Sequence, residues 1–265
     1  MDFTSKRVWV TGASSGIGEA LIAPLAARGA RVAISARRAG TLDALAAAWR
    51  ARGADVVAVP IDVTSRESVA HAVTAVEAAL GGIDVAILNA GSHVSGDGHR
   101  FDGQQYADNM TLNFLGTVWC IDAVLPAMLR RGSGYIAGVA SVAGFRGVPA
   151  AGAYGASKAA LIHMLEAVRF DLEPRGIHVS VVNPGFVKTP LTDRNHFPMP
   201  FLMPVERAAE ALVRGLEQER TEILFPKRFA WLMKTLRILP GPLYRWIIWR
   251  GTRGRRLAKD ATLTD

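Results

Sequence analysis

Short apolar runs alternate with longer stretches rich in alanine and leucine along the first 225 residues. The short runs show little apolar–polar alternation, as expected for strands that are buried on both faces of a sheet. They predict strands at 7–11, 31–35, 55–60, 85–89, 134–139, 177–183 and 222–225. The longer stretches have the length of helices, and glycines follow several of them where a helix would stop. They predict helices at 17–28, 40–52, 66–80, 108–130, 153–173 and 204–218.

This alternation of strands and helices predicts an α/β fold, in which a doubly wound parallel sheet of about seven strands carries helices on both faces. Because no linker or internal repeat interrupts the pattern, we expect residues 1–225 to form one domain. We expect residues 226–265 to be a basic, amphipathic C-terminal extension of that domain rather than an independent one.

Composition narrows the class of protein. The chain has 265 residues, of which 50% are hydrophobic and 20% are charged, so it is suited to a buried core and not to disorder. Its single cysteine, Cys120, allows neither an internal disulfide nor a cysteine-based zinc site. No apolar run near the N-terminus suggests a secretory signal, and the longest uncharged stretch, 132–145, is shorter than the roughly 20 residues of a membrane-spanning helix. A cytoplasmic protein is therefore expected.

The net charge of +8 is concentrated near the C-terminus. Residues 223–259 contain ten Lys and Arg and no Asp or Glu, which leaves 21 basic and 23 acidic residues for the rest of the chain. The α/β body is thus close to neutral, and the tail needs its own explanation. Nucleic-acid binding is not expected, because the basic run also carries a bulky apolar stripe that favours burial.

A glycine-rich turn follows the first predicted strand and precedes a helix. Residues 11–18 read Thr-Gly-Ala-Ser-Ser-Gly-Ile-Gly. Glycines permit a sharp turn and a close approach of a pyrophosphate, and a helix N-terminus offers free N–H groups to phosphates. In this strand–turn–helix context the spacing predicts a dinucleotide site.

The end of the second predicted strand bears on the choice of nicotinamide cofactor. An acidic residue there would accept hydrogen bonds from the adenosine ribose, but the sequence has Ala36 followed by Arg37 and Arg38. Arginines suit a 2′-phosphate, so NADP(H) is preferred over NAD(H). The alternative is that one or both arginines are solvated loop charges. Asp62, after the third strand, suits the adenine amino group or a simple loop contact.

Candidate chemistry follows the fifth predicted strand. Tyr154 and Lys158 are four residues apart in a predicted helix and so share one face. A phenol has a pKa near 10, and a neighbouring ammonium group should lower it enough for proton transfer to or from a carbinol oxygen. Ser141, which lies 13 residues before Tyr154, can present a hydroxyl to the same oxygen.

Taken in order, these motifs resemble the short-chain dehydrogenase/reductase family in its single-domain NAD(P)-dependent form, which has a Rossmann-type fold. The resemblance spans about residues 5–225. It rests on the glycine turn, on Asn89-Ala90-Gly91, on Asn113, on Ser141 with Tyr154 and Lys158, and on Asn183-Pro184-Gly185 followed by Thr189.

The resemblance implies a role for each matching residue. Tyr154 would be the general acid/base, and Ser141 would orient the substrate oxygen. Lys158 would bind the nicotinamide ribose and lower the pKa of Tyr154, and Asn113 would hold a water in a proton relay. The expected cofactor contacts are Gly12, Ser14, Ser15, Gly16, Ile17, Gly18, Arg37, Arg38, Asp62, Val63, Asn89, Ala90, Gly91, Tyr154, Lys158, Pro184, Gly185, Val187 and Thr189.

No metal is expected, because the six histidines are scattered and favour ordinary surface or core packing. Helices 108–130 and 153–173 commonly pair between subunits in the family. They imply a homodimer or homotetramer, although their apolar faces could equally face the core.

Three loops, 92–103, 142–151 and 186–203, are expected to line the substrate site. The last is strongly apolar and has Arg194 and His196 as its polar exceptions, which favours a lipophilic alcohol or carbonyl. The alternative is that these residues pack on the sheet edge or on a partner subunit. The apolar members are Phe186, Leu191, Phe197, Met199, Phe201, Leu202 and Met203.

The tail shows helical periodicity that is interrupted at 240–242, and a second short helix is expected at 243–250. Basic residues beside tryptophans indicate either an interfacial segment on an anionic membrane, over 226–256, or a segment packed on a partner subunit. The expected apolar stripe consists of Phe225, Phe229, Leu232, Leu236, Leu239 and Leu243.

These observations predict an NADP(H)-preferring oxidoreductase that interconverts a lipophilic ketone or aldehyde and its alcohol. One alternative is a reductase of 3-oxoacyl chains on a carrier protein, which the basic tail could dock. A second alternative, from a different class, is a non-catalytic NADP(H)-binding sensor or scaffold.

Overall fold

Seven parallel strands form one sheet in the order β3-β2-β1-β4-β5-β6-β7. The structure is a computed structural model that describes residues 1–93, 101–194 and 198–260. The order reverses between β1 and β4, so the fold is the predicted Rossmann-type doubly wound sheet. Four strands match their predicted bounds, whereas β3 is shorter than 55–60. The strands are β1 Arg7–Thr11, β2 Arg31–Ser35, β3 Val56–Ala58, β4 Val85–Leu88, β5 Gly134–Val139, β6 Ile177–Pro184 and β7 Glu222–Phe225.

Helices cover both faces of the sheet and bury two apolar clusters. The described helices are α1 Gly16–Ala20, α2 Ile22–Ala26, α3 Ala39–Arg50, α4 Arg66–Leu80, α5 Gly103–Met110, α6 Gly116–Arg131, α7 Gly152–Leu172, α8 Val205–Glu217, α9 Lys227–Ile238 and α10 Gly241–Asp260. Helices α4, α6, α7 and α9 contribute to the cluster on one face, and α1, α2, α3 and α8 contribute to the cluster on the other. The near-continuous apolar strands therefore face helices on both sides, as their lack of alternation predicted.

Two predicted helices differ from the structure. The helix expected at 17–28 is divided at Leu21 into α1 and α2. Pro24 has no N–H to donate to a carbonyl one turn earlier, which explains the division. The helix expected at 108–130 begins at Gly103, and a π-helical turn, Thr111–Leu115, lies between α5 and α6.

The continuous helical stretch Gly103–Arg131 is the one described helix that is long and apolar enough to cross a bilayer, with a mean hydropathy of 1.6 over its most apolar window. It lies within the fold, where α5 packs on α7 and α6 packs on α4. No such helix was expected from the sequence, because only runs without any charged residue were considered. The stretch 103–131 contains a few charged residues, so that criterion did not detect it.

The C-terminal extension joins the sheet through α9. Phe229, Ala230 and Met233 are buried, and Leu236 packs beside them. The predicted stripe also included Leu232 and Leu243, but both side chains are exposed. The stripe was wrong at Leu232 because the buried face of α9 passes through Ala230 and Met233. Alanine is too small to stand out among the bulky apolar residues from which the stripe was predicted. Helix α10 begins at Gly241, within the expected break at 240–242 and two residues before the predicted start at 243, and it extends beyond residue 250.

Candidate active site

The glycine turn is built by close contacts between the ends of β1 and β4. Gly12 has a φ of +68°, and a Cβ on it would lie 2.8 Å from Cα of Ala90. The amide of Asn89 donates to the carbonyl oxygens of Thr11 and Gly12, at 3.1 and 3.3 Å. The hydroxyl of Thr11 accepts from the backbone N–H groups of Asn89 and Ala90. The motif residues therefore fasten two neighbouring strands at the sheet edge where a dinucleotide would lie.

The loop after β6 faces the same turn. Gly16 has a φ of +61°, and a Cβ there would lie 3.3 Å from Cγ2 of Thr189. The hydroxyl of Thr192 donates to the carbonyl of Val187 at 2.6 Å and accepts from the N–H of Thr189 at 2.9 Å. The glycine turn and the Thr189 loop therefore lie side by side at the carboxyl end of the sheet, where a nucleotide binds in folds of this kind.

Four of the predicted cofactor residues gather near the end of β2. A guanidinium N–H of Arg38 donates to the carbonyl and the hydroxyl of Ser14, at 2.9 and 3.1 Å. Hydrogen bonds from Thr64 lower the pKa of Asp62, and the charge of Arg37 lowers it further. The end of β2 and the glycine turn therefore share an electropositive corner that contains a serine hydroxyl.

Ser141, Tyr154 and Lys158 lie together beside β5. The Ser141 hydroxyl accepts from the N–H of Ala143 at 3.1 Å and donates to the carbonyl of Pro184 at 3.4 Å. The Lys158 ammonium lies 5.8 Å from the centre of the Tyr154 ring. The residues expected to perform the chemistry are thus brought together by β5, the 3-10 turn Val142–Gly144 and helix α7.

Burial dominates the protonation of this pair. Burial raises the pKa of Tyr154, although hydrogen bonding with Ser141 opposes this effect. Burial also lowers the pKa of Lys158 to about 8. In the described structure the cost of desolvating the phenolate therefore dominates the pKa of Tyr154, and the lowering of this pKa by Lys158 stays a prediction.

Asn113 is held within a buried polar network. Its side-chain amide donates to the carbonyl of Ser92 and to the hydroxyl of Ser157, both at 3.0 Å, and its Oδ1 accepts from the N–H of Ser92 at 2.9 Å. The Ser157 hydroxyl in turn donates to the backbone carbonyl of Tyr154 at 2.8 Å. Asn113 is the middle residue of the π-helical turn. The turn and the network therefore couple Asn113 to the helix that carries Tyr154.

Sequence reasoning missed two members of the site. Ser157 lies between the paired Tyr154 and Lys158, where it reads as an ordinary small helix residue. His93 packs edge-on against Tyr154, with 4.7 Å between ring centres and an interplanar angle of 74°. Burial lowers the pKa of His93. The available signal in the sequence was its position four residues after Asn89. That position alone did not distinguish His93 from the other scattered histidines, which were expected to have packing roles.

The remaining predicted cofactor residues lie around the same end of the sheet. Ser15 precedes α1 in an extended conformation, Ile17 packs partly into the core, and Val187 pairs with Met203 in an isolated bridge. Val63 is buried against Gly116 of α6, so its side chain serves packing. A Cβ on Gly18 would lie 2.4 Å from the carbonyl oxygen of Gly12.

Three glycine and proline positions complete the set. A Cβ on Gly91 would lie 2.8 Å from Oδ1 of Asn113 and 3.3 Å from Nζ of Lys158. Pro184 accepts a hydrogen bond from Ser141, and Gly185 lies against Phe229. Of the apolar substrate loop, His196 and Phe197 fall outside the described residues.

A phenol and an ammonium group beside a predicted dinucleotide site define the class of nicotinamide-dependent oxidoreductases. The comparisons with known proteins agree with this class. A family model described as short chain dehydrogenase matches residues 6–197. The chain belongs to the short-chain dehydrogenase/reductase family and is an NAD(P)-dependent enzyme of that family.

Individual relatives are similar over most of the chain. An uncharacterized oxidoreductase of Myxococcus xanthus is 39% identical over 92% of this chain and 96% of its own length. Ketoacyl reductase HetN of a Nostoc species is 33% identical over 83% of this chain and 78% of its own length. A short-chain dehydrogenase/reductase from Burkholderia phymatum, solved in complex with NAD, has a TM-score of 0.81 at 24% identity and covers 88% of this chain and 93% of its own.

Proposed function

We propose that the protein is an NADP(H)-preferring oxidoreductase that interconverts a lipophilic ketone or aldehyde and its alcohol. The observation that carries this proposal is the convergence of Ser141, Tyr154, Lys158 and Asn113 beside the glycine turn and Thr189. A nicotinamide cofactor, when bound, supplies or accepts the hydride.

The protein's own residues handle the proton. During reduction, Tyr154 donates its phenolic proton to the substrate oxygen, and during oxidation it accepts one. The raised pKa of Tyr154 keeps the phenol protonated near neutral pH, which suits the direction of reduction. The Ser141 hydroxyl orients the same oxygen, and Lys158, Asn113 and Ser157 provide the polar groups behind the phenol.

The preference for NADP(H) is supported by the corner that Ser14, Arg37 and Arg38 form. An adenosine 2′-phosphate would meet two guanidinium groups and a hydroxyl there, and Ala36 adds no carboxylate that would repel it. The cofactor contacts expected at Gly12, Gly16, Asn89 and their neighbours belong to the same proposal.

A lipophilic substrate is supported by aromatic rings on the substrate side. Phe186 of the loop after β6 lies 5.1 Å from Phe229 of α9, measured between ring centres, and Phe201 lies 6.4 Å from the same ring. Phe201 and Leu202 remain partly exposed. An apolar wall of this kind favours a substrate that can be desolvated at low cost.

The proposal is tested with purified protein and a panel of hydrophobic ketones, by following NADPH and NADH consumption separately. We expect turnover of at least one ketone, a higher kcat/KM with NADPH, and a loss of at least about a thousandfold in Tyr154→Phe. A Tyr154→Phe enzyme that keeps its parent's rate would overturn the mechanism. Equal efficiency with both cofactors would overturn the NADP(H) preference.

A second candidate substrate is a 3-oxoacyl chain on a carrier protein. It is favoured by the similarity to a protein named ketoacyl reductase and by the basic tail, which could dock an acidic carrier. Turnover of carrier-bound chains, with no turnover of the same chains free in solution, would favour this candidate.

A non-catalytic NADP(H) sensor is the candidate from another class of protein. Any measured turnover that depends on Tyr154 excludes it.

We also propose that the enzyme is a cytoplasmic homodimer or homotetramer. Helices α6 and α7 leave Leu129 and Phe170 exposed, and such side chains suit a subunit interface. Light scattering gives the mass directly, and a monomeric mass would exclude this assembly. The predicted association with a membrane surface involves the C-terminal extension, residues 226–256, and not these two helices.

A further inference from the structure

The last two helices present large apolar side chains to solvent. On α9, Trp231 is 62% exposed and Ile238 is 80% exposed. On α10, Leu243, Trp246 and Trp249 follow one another at intervals of three residues and are about half exposed. This set is named here the tail face. A soluble protein rarely leaves so many bulky apolar groups on adjoining helices without a use for them.

The segment of chain that carries the tail face is strongly basic in sequence. Residues 223–259 hold ten Lys and Arg and no acidic residue, although the rest of the chain is close to neutral. The guanidinium carbon of Arg250 lies 5.4 Å from the ring centre of Trp246. The Lys234 ammonium lies 5.6 Å from that of Trp231, but it is paired with the carboxylate of Glu222, so the positive charge of this face comes from Arg250 and Arg245 rather than from Lys234. Cations beside exposed tryptophans are the arrangement expected where aromatic rings enter the headgroup region and cations meet anionic headgroups.

A groove on α10 combines both properties. It is a shallow depression of about 650 Å³ that is open to solvent, and it is lined by Gly241, Pro242, Arg245, Trp246 and Trp249. Because an arginine stands beside two indole rings, the groove suits a ligand that is anionic at one end and apolar at the other. An anionic phospholipid has this character.

The tail face is firmly attached to the loop that follows β5. An N–H of Arg146 donates to the carbonyl oxygens of Leu236 and Leu239, at 2.8 and 2.7 Å, where α9 ends. The guanidinium carbon also lies 3.8 Å from the ring centre of Tyr244 in the first turn of α10. Arg146 therefore holds both helices against the loop that begins at Ser141.

We propose that the tail face is a docking surface for an anionic lipid bilayer. The charge decides between possible occupants. Two copies of a surface with this excess of positive charge would repel each other, whereas a negatively charged membrane attracts it. Exposed tryptophans favour a bilayer, into which they can insert, over the hydrated surface of an acidic protein. The inference stands independently of substrate and turnover, because it rests on residues outside the catalytic site.

The first test uses full-length protein and vesicles of phosphatidylglycerol and phosphatidylcholine in equal parts, with vesicles of phosphatidylcholine alone as the comparison. We expect co-sedimentation with the anionic vesicles, a weakening by salt, and a blue shift of tryptophan emission on binding. The double variant Trp231→Ser/Trp246→Ser should reduce binding at least tenfold. Phe170→Ser, which removes a still more exposed ring from α7, should not change binding to the vesicles.

A matched pair of charge variants tests the electrostatic part. Arg245→Glu/Arg250→Glu should reduce binding to anionic vesicles at least tenfold. Arg50→Glu/Arg175→Glu makes the same change in net charge at exposed positions elsewhere and should leave binding within about twofold. Equal binding by both pairs would overturn the proposal, and so would a parent protein that sediments with neither type of vesicle. Tryptophan variants that lower the mass measured by light scattering without changing sedimentation would show that a second copy covers the face.

Discussion

The ammonium group of Lys158 donates a hydrogen bond to the backbone carbonyl of Val139, at 2.8 Å, and does not lie against the phenol oxygen of Tyr154 as a simple ion pair would. Lys158 is also nearly inaccessible, with 4% of its surface exposed. Desolvation therefore lowers the pKa of the ammonium group and raises that of the phenol. The site holds a cation whose burial opposes folding.

Lys158→Met is therefore expected to abolish turnover and to raise the stability at pH 7. The pKa of about 8 in the folded protein lies below the usual value of 10.5, so between these values the unfolded chain binds more protons. The parent should gain stability as the pH rises through that window, whereas the variant should not. Unfolding by urea at pH 7 and pH 10 measures this difference. We expect an advantage for the variant of about 1–3 kcal/mol at pH 7 that shrinks at pH 10. An advantage that stays constant with pH would contradict the explanation.

Removing the guanidinium groups at the adenosine end should affect one cofactor and not the other. Arg37→Ala/Arg38→Ala is expected to raise KM for NADPH about 10- to 100-fold, because charge-assisted bonds to the 2′-phosphate are lost. KM for NADH should change by less than about threefold. Steady-state kinetics with both cofactors provides the measurement, and Arg52→Ala, an exposed arginine just beyond the far end of α3, serves as the control.

His93 is expected to position the Tyr154 ring. His93→Ala should lower kcat about tenfold with a smaller effect on the KM of the cofactor, whereas His93→Phe should retain most of the rate because it keeps an aromatic edge on the phenol ring. Burial keeps the imidazole neutral at pH 7, and it becomes charged only as the pH falls below its usual range. A decline of kcat at acid pH that is present in the parent and absent from His93→Phe would assign that limb to His93. Identical pH profiles of kcat in the parent and in His93→Phe would show that His93 does not cause the decline.

The contact between Gly185 and the extension can be tested by adding one carbon. A Cβ at this position would lie 2.6 Å from Cδ1 of Phe229 and 3.2 Å from Cδ of Pro226. Gly185→Ala should therefore lower the free energy of unfolding by about 1–3 kcal/mol. Gly40→Ala, where nothing lies within 4 Å in helix α3, should be neutral or stabilising by up to about 1 kcal/mol. Thermal unfolding of both variants under one condition checks the contrast, and equal Tm values would refute it.

The sequence allowed the sheet and most of the site to be predicted because both depend on local patterns. Uninterrupted apolar runs predict strands, and the spacing of Tyr154 and Lys158 places them on one helix face. The π-helical turn around Asn113 was not predictable, since it depends on hydrogen bonds to Ser92 and Ser157 from other parts of the chain. Likewise, the protonation of Lys158 reflects how much protein surrounds it, which no spacing in the sequence contains.

The hydrogen bonds of Arg146 have a consequence for anyone who exchanges segments between relatives. A chimera that received the final two helices from another member of the family would also need a compatible residue at position 146. Without it, the carbonyl groups at the end of α9 would lose their donor, and the hybrid would be unstable for reasons unrelated to the grafted segment. The donor loop and the grafted helices therefore have to be transferred together.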